Sequence, residues 1–309
     1  MIMKTQIIFY IIALSIRILL FYNQSRGNYL EIAFLDVGQG DSVLITTPLK
    51  KRVLIDGGEG FTADRLLDSY FPLNNCHLDV LALTHPHADH IEGLNRVLDH
   101  CKVDFIIFNP VEYDSYLYDN WLSKVSELEN SGKSKVFNCV DGDVIKIDGI
   151  TFHCIWPTPE ALEKGFSNIN NASLTVFLDY GDFEAFLSGD AETGVLEIIK
   201  KRLNGGAFWF IDYPLEVYKA SHHGAENGFV KGLWIKLNPG VTVVSVGEDN
   251  KFGHPSQDVI DFFTAKKCTD FFGSDKLCNL PAAKKGLVKR TDMDGTVKIR
   301  YNLSKYEHN

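Results

Sequence analysis

The chain has 309 residues, 45% of them hydrophobic, enough to bury a substantial core in one large domain or two of ordinary size. Lys and Arg number 31 against 40 Asp and Glu, and the net charge of -9 excludes the electrostatic footprint of tight, sequence-independent nucleic-acid binding. Any nucleic-acid contact has to be local, and the short basic clusters Lys50-Lys51-Arg52, Lys200-Lys201-Arg202 and Lys289-Arg290 read as solvated faces.

Residues 6–22 are the one strongly apolar segment, preceded by Lys4 and interrupted by Arg17. As a helix they would span about 25 Å, slightly short of the roughly 30 Å hydrocarbon core, with Arg17 free to snorkel. We expect residues 1–27 to be an anchor or signal and residues 28–309 the catalytic domain. The protein is thus expected to be membrane-anchored or exported, with a cytoplasmic location as the alternative. A signal peptide competes with the anchor but is disfavoured by Arg17, and burial against the domain is the third option.

From residue 30 short β-rich runs follow, Glu31 to Asp36, Ser42 to Thr47 and Arg52 to Asp56, separated by Gly38-Gln39-Gly40-Asp41 and ended by Gly57-Gly58. A short helix over 62–70, with Thr62 as its cap, precedes the apolar run Asp79 to Leu83. Ile91 to Leu98 reads as helix, Val103 to Phe108 as strand and Ser115 to Asn130 as helix. A second β-rich stretch covers Lys135 to Val140, Val144 to Ile147 and Thr151 to Trp156, within which His153 is an ordinary sheet residue. Ser173 to Asp179 and Phe183 to Leu187 form a hairpin, and Ala191 to Leu203 is an amphipathic helix.

The rhythm repeats with a strand at Leu215 to Ala220, a helix over Val230 to Leu237, a strand at Val241 to Val246 and a helix over 256–266 capped by Ser256. Residues 268–285 form a polar excursion, and Leu287 to Tyr301, turning at Asp292-Met293-Asp294-Gly295, should be a closing hairpin. No repeat or low-complexity linker interrupts this order, and two β-rich halves with outer helices predict one catalytic domain. The six cysteines lack C-x-x-C spacing, which argues against a zinc ribbon or a thioredoxin-like site and leaves the compartment open. Cys268 and Cys278 could pair in oxidising surroundings, and buried or idle thiols explain them equally well.

The chemistry concentrates at strand ends. Thr84-His85-Pro86-His87-Ala88-Asp89-His90 places three imidazoles and a carboxylate within six residues, and Pro86 blocks an ordinary strand continuation, so the side chains can converge. Imidazole and carboxylate suit zinc, manganese or iron, and the cluster holds enough donors for two adjacent ions. Asp190 in Ser188-Gly189-Asp190, the pair His222-His223 and His254 also each follow an apolar strand, where a sheet edge can gather distant loops. Asp190 can bridge two cations through its two oxygens; it is also a plausible N-cap for the helix from Ala191, and the two roles are compatible.

Phe34-Leu35-Asp36-Val37-Gly38-Gln39-Gly40-Asp41-Ser42, Leu54-Ile55-Asp56-Gly57-Gly58, Thr84 to His90, Leu187-Ser188-Gly189-Asp190, His222-His223-Gly224 and Gly253-His254-Pro255 together resemble the metallo-β-lactamase-fold domain of ComEC-type competence proteins, over residues 30 to 301. The resemblance implies an α/β (α+β) architecture, an αββα sandwich of two mixed β-sheets with outer helices. It implies two divalent metal ions, zinc or manganese: His85 and His87 on one, Asp89 and His90 on the other, Asp190 bridging, and His223 or its neighbour His222 with His254 as the remaining ligands. Many relatives in the wider superfamily carry a further histidine where this chain has Asn170-Asn171-Ala172-Ser173. The ComEC-like branch has a similar Asn-x-x-Ser pattern, which makes Asn170 a pocket residue and candidate substrate contact, beside its simpler role as a turn.

Such a site points to phosphodiester hydrolysis, because paired cations activate water and stabilise attacking and leaving oxygens at phosphorus. Asp89, His222 and Asn170 are the candidate catalytic residues, with the non-ligand histidine of the His222/His223 pair protonating the leaving oxygen. The first expectation is a metal-dependent phosphodiesterase, including a nuclease on single-stranded DNA. The alternatives are hydrolysis of a small phosphodiester, another small ester or a lactam, and a non-catalytic membrane-tethered binding protein. Membrane contact is expected only through residues 6–22, and no obligate protein partner is evident.

Overall fold

The computed structural model describes residues 29–71, 75–264 and 287–302. Two seven-stranded mixed sheets face each other. The first has the order β14-β1-β2-β3-β4-β5-β6, from β1 (Leu30–Phe34), β2 (Val43–Thr46), β3 (Arg52–Ile55), β4 (His77–Ala82), β5 (Lys102–Ile107), β6 (Lys135–Phe137) and β14 (Val297–Tyr301). The second has the order β13-β12-β11-β10-β9-β8-β7, from β7 (Val144–Ile147), β8 (Ile150–Trp156), β9 (Thr175–Asp179), β10 (Glu184–Leu187), β11 (Val217–Lys219), β12 (Val241–Val244) and β13 (Leu287–Arg290).

Period-two side-chain alternation explains the layering. Leu30, Ile32 and Phe34 of β1 point between the sheets with Val176, Leu178 and Ala185. Ala33 of the same strand, followed by Leu35, points outward to the core under α1 (Thr62–Asp68), α2 (Ala88–His100) and α3 (Tyr116–Asn130). Phe177, Phe186 and Tyr218 likewise face α5 (Thr193–Asn204), α6 (Lys231–Leu237) and α7 (Gln257–Thr264). A short α4 (Pro159–Lys164), capped by the Thr158 side chain on the Ala161 N–H at 3.1 Å, precedes a 3-10 turn over Ile169–Ala172. The result is the expected αββα sandwich.

Several expectations are corrected. Leu287 to Tyr301 is no hairpin: β13 pairs parallel with β12 in one sheet, β14 pairs antiparallel with β1 in the other, and the turn α8 (Thr291–Asp294) carries the chain between them. Thr62 is the first residue of α1 rather than its cap, which is Phe61. Asp190 does not cap a helix either, since α5 starts at Thr193 after Glu192, and its carboxylate is left for the site.

The expected membrane anchor is also corrected. Among the described residues no helix is long and apolar enough to cross a membrane. The longest, α3, has 15 residues, about 22 Å at 1.5 Å per residue, and carries exposed charge. Residues 6–22 themselves lie outside the described residues, as do Cys268 and Cys278. The other four cysteines pair. Cys76–Cys101 ties the start of β4 to the end of α2, and Cys139–Cys154 ties the chain after β6 to β8 of the opposite sheet, with Cα separations of 4.6 Å and 6.2 Å.

Candidate metal centre

The loops after β4, β10 and β11 open at one edge of the sandwich and bring their side chains together. The Nε2 atoms of His90 and His223 each lie 3.2 Å from Asp190 Oδ2, and His223 Nε2 lies 3.2 Å from Asp89 Oδ2. These four residues offer donor atoms within 4.8 Å of one another. Beside them, His85 Nε2 is 3.1 Å from His87 Nδ1 and 4.0 Å from Asp190 Oδ2. The structure therefore gathers Asp89, His90, Asp190 and His223 in one cluster and His85 with His87 in a neighbouring one, with Asp190 reaching both. His254 stands on the rim, its ring 5.2 Å from that of His222 and 6.4 Å from that of His223, stacked on Phe252 at 5.9 Å.

Each inward imidazole is aimed by what its other nitrogen touches, the outer-layer anchoring that metal-binding histidines need. His90 Nδ1 meets Asp56 Oδ2 at 2.8 Å, and Asp56 also accepts from the Thr84 N–H (2.8 Å) and the Thr84 hydroxyl (2.6 Å). His223 Nδ1 donates to the Ser245 carbonyl at 2.9 Å. His85 Nδ1 sits between the Thr84 and Ser173 hydroxyls at 3.1 Å and 3.2 Å. His222 is turned the other way, Nδ1 on Asn227 Oδ1 at 3.0 Å and Nε2 facing Asn170 and Asp190 at 3.5 Å and 4.0 Å.

The two histidines separate because both have left-handed backbone, φ 49° at His222 and 55° at His223. Non-glycine residues adopt that region at a cost, and such positions gather at functional sites. Asp41 lies beneath, ion-paired with the buried Lys219, whose Nζ donates to the Gly189 carbonyl at 3.0 Å and lies 3.8 Å from Asp190 Oδ1. Sequence reasoning assigned no role to Asp41, Asp56, Lys219 or Ser173.

The electrostatics favour a cation. Burial opposes charge on Asp190, but His223 and His90 outweigh it and hold the carboxyl well below its ordinary range. Burial also opposes charge on His90 and His223, and the carboxylates, Asp190 foremost, hold both well above an ordinary imidazole. His85 and His87 go the other way, lowered by burial and then by His90, and so present neutral nitrogens; the Asn170 side chain acts weakly against this at His87. His90 Nε2, His223 Nε2 and Asp190 Oδ1 have no hydrogen-bond partner among the described residues. Buried polar atoms left unpaired are costly, and a divalent cation, which binds deprotonated imidazole and carboxylate, would take the place of the protons that the carboxylates otherwise hold on His90 and His223. The donor set fits a metal site.

Residues 35–153 match the metallo-beta-lactamase superfamily. Together with the two facing sheets and the donor set, this match gives the chain the metallo-β-lactamase fold and makes it similar to the metallo-hydrolases of that superfamily. Within it the chain resembles ComE operon protein 3 of Bacillus subtilis (strain 168), with 26% identity over 94% of this chain and 35% of that protein. The chain spans about a third of the length of the curated relatives it matches. Among solved structures it is similar to the metallo-beta-lactamase fold protein YhfI from Bacillus subtilis (TM-score 0.53, 10% identity, 88% of this chain and 100% of that one). It is equally similar to CmlA, a diiron beta-hydroxylase from Streptomyces venezuelae (TM-score 0.53, 15% identity, 88% of this chain and 54% of that one). These likenesses show the fold, and the reaction has to be argued from the site.

Proposed function

We propose that the protein is a metal-dependent phosphodiesterase. The observation that carries the reading is that Asp190 stands between two donor clusters on the floor of an open cleft of about 320 Å³. Divalent cations held by His85, His87 and Asp190 and by Asp89, His90, Asp190 and His223 would supply an activated water and charge stabilisation at phosphorus.

The protein's own groups do the rest. His222, whose Nε2 faces the cleft while Asn227 orients its ring, is placed to give a proton to the leaving oxygen. Lys251, the one Lys or Arg lining the cleft among the described residues, offers a counter-charge for a phosphate, and Phe252 and Tyr113 offer apolar faces to the rest of the substrate. Asp56 and Ser245 hold His90 and His223 in place throughout.

A nuclease on single-stranded DNA is the finer reading of the same site. A small phosphodiester is favoured by a different observation: Glu59 lines the same cleft opposite a single lysine, a poor match to a long polyanion. The test is to assay the metal-free 309-residue chain, reloaded with manganese or zinc, on bis(p-nitrophenyl) phosphate, a single-stranded oligonucleotide and a lactam. Metal-dependent cleavage of the first is expected, cleavage of the second selects the nuclease, and turnover of the lactam alone would overturn the proposal.

A further inference from the structure

Part of the wall of the metal cleft has no regular structure. Between the end of β5 at Ile107 and the start of α3 at Tyr116 the chain is irregular, and Tyr113 within it lines the cleft, its ring 5.7 Å from that of His87. Side chains hold this segment where backbone ladders do not. The buried Asn109 grips Cys139 at both backbone groups, its Nδ2 donating to the Cys139 carbonyl at 2.6 Å and its Oδ1 accepting from the Cys139 N–H at 3.0 Å. Further along, the Tyr118 hydroxyl accepts from the Val111 N–H at 3.1 Å. The segment that carries Tyr113 therefore starts from wherever Cys139 stands.

Cys139 is placed by its disulfide to Cys154, which joins the two sheets. Just beyond it the backbone is tied independently: the Asp141 N–H donates to the Pro157 carbonyl at 2.8 Å, the Gly142 N–H to the Cys154 carbonyl at 3.0 Å and the Cys154 N–H to the Asp143 carbonyl at 2.9 Å. Cutting the sulfur–sulfur bond would thus release residues 138–140 while the edge of the sandwich stays in place. Cys139, with Phe137 and Ile145, also lines a second cleft of about 580 Å³ at the side of the sandwich, whereas Cys154 does not, so an entering thiolate meets the Cys139 sulfur.

We infer that the Cys139–Cys154 disulfide is a redox-sensitive tether of the metal cleft, holding the Tyr113 wall in place through Asn109 when oxidised and loosening it when reduced. A dithiol supplies the two electrons. Its first thiolate bonds to the Cys139 sulfur as the Cys154 thiolate leaves, its second displaces Cys139 and closes a cyclic disulfide, and the protons the dithiol gives up end on Cys139 and Cys154. The switch is a local packing change read out at a distance. Asn109 is a positioning residue, acting through the segment it anchors.

The test is hydrogen exchange read by mass spectrometry on the full 309-residue chain, as oxidised wild type, after reduction by a small dithiol and desalting, and as C139S/C154S, N109A and C76S/C101S. Peptides covering 108–115 should exchange about tenfold or more faster in the reduced protein, in C139S/C154S and in N109A, the loss expected of two hydrogen bonds, while peptides covering 85–90 keep their rate. C76S/C101S, which removes the disulfide at the far end of β4, should match oxidised wild type. Reducing N109A should add little, because the clamp through which the bond acts is already gone. Reduction and N109A should also raise KM for bis(p-nitrophenyl) phosphate more than they lower kcat. Unchanged exchange over 108–115 in the reduced protein or in N109A overturns the inference. So does an equal change in C76S/C101S, and so does melting that shows the reduced chain unfolded, since a switch needs two folded states. A protein that shows this exchange pattern but cleaves no phosphodiester supports the tether and removes only the proposed activity.

Discussion

The buried ion pair beneath the site gives a prediction whose size follows from the structure. Lys219 and Asp41 are 1% and 4% exposed at their side chains, and their contact joins the loop after β1 to the strand that delivers His222 and His223. Replacing Lys219 with Met leaves the Asp41 carboxylate buried without its main counter-charge, which should cost about 3–5 kcal/mol. For a domain of this size that is a fall in Tm of roughly 6–20 °C. The double variant D41N/K219M removes both charges at similar volume and should melt well above K219M.

The deficit should depend on pH. Burial raises the Asp41 pKa, but Lys219 and then His223 outweigh it, so the folded value lies below the ordinary one. The pair's stabilisation is present above the unfolded pKa of about 3.9 and is lost as pH falls through the lower folded value. Without Lys219, burial is less opposed and the carboxyl protonates more readily. The K219M deficit should therefore be largest near pH 7 and shrink on acidification. Thermal melts of the four proteins of the cycle across pH provide the assay. A double variant as unstable as the sum of the singles, or a deficit that grows on acidification, would refute the reasoning.

Three further outcomes are expected. H223A should lose bound metal by elemental analysis, whereas H222A should keep it and lose turnover by about 10²–10⁴-fold; equal metal loss from both contradicts the division of roles. Gly40 has φ +112°, and a Cβ there would sit 1.9 Å from the Asp89 carbonyl oxygen, so G40A should displace the metal loop and lower both Tm and metal retention, read by melting and metal analysis. Far from the site, burial and then Glu216 push Glu184 up to about 8, so its protonated form stabilises the fold and that contribution is lost as pH rises from 4.5 through 8. E184Q should accordingly match wild type at pH 5 and melt roughly 2–4 °C higher at pH 9.

Most strands and helices were legible because their patterns are local: alternation in Leu30–Phe34, helical spacing through Leu117, Trp121, Val125 and Leu128. Sheet membership was not. Leu287–Arg290 and Val297–Tyr301 flank an ordinary turn sequence, and only nonlocal pairing sends them to different sheets. At the site, the His85 to His90 motif announces itself by density, and Asp190 by its place after an apolar strand. Which of His222 and His223 turns inward depends on two left-handed residues that no side chain there demands. Asp41, Asp56 and Lys219 were missed, although a lysine inside the apolar run Val217-Tyr218-Lys219-Ala220 was a signal that a buried partner had to exist.

Asp190 is the residue on which the account depends, since it reaches both donor clusters. The most direct test compares manganese-dependent hydrolysis of bis(p-nitrophenyl) phosphate by wild type and Asp190→Ala, with both shown to be folded. The account predicts a fall of about a hundredfold or more, together with loss of bound metal. Wild-type turnover in the variant would contradict it.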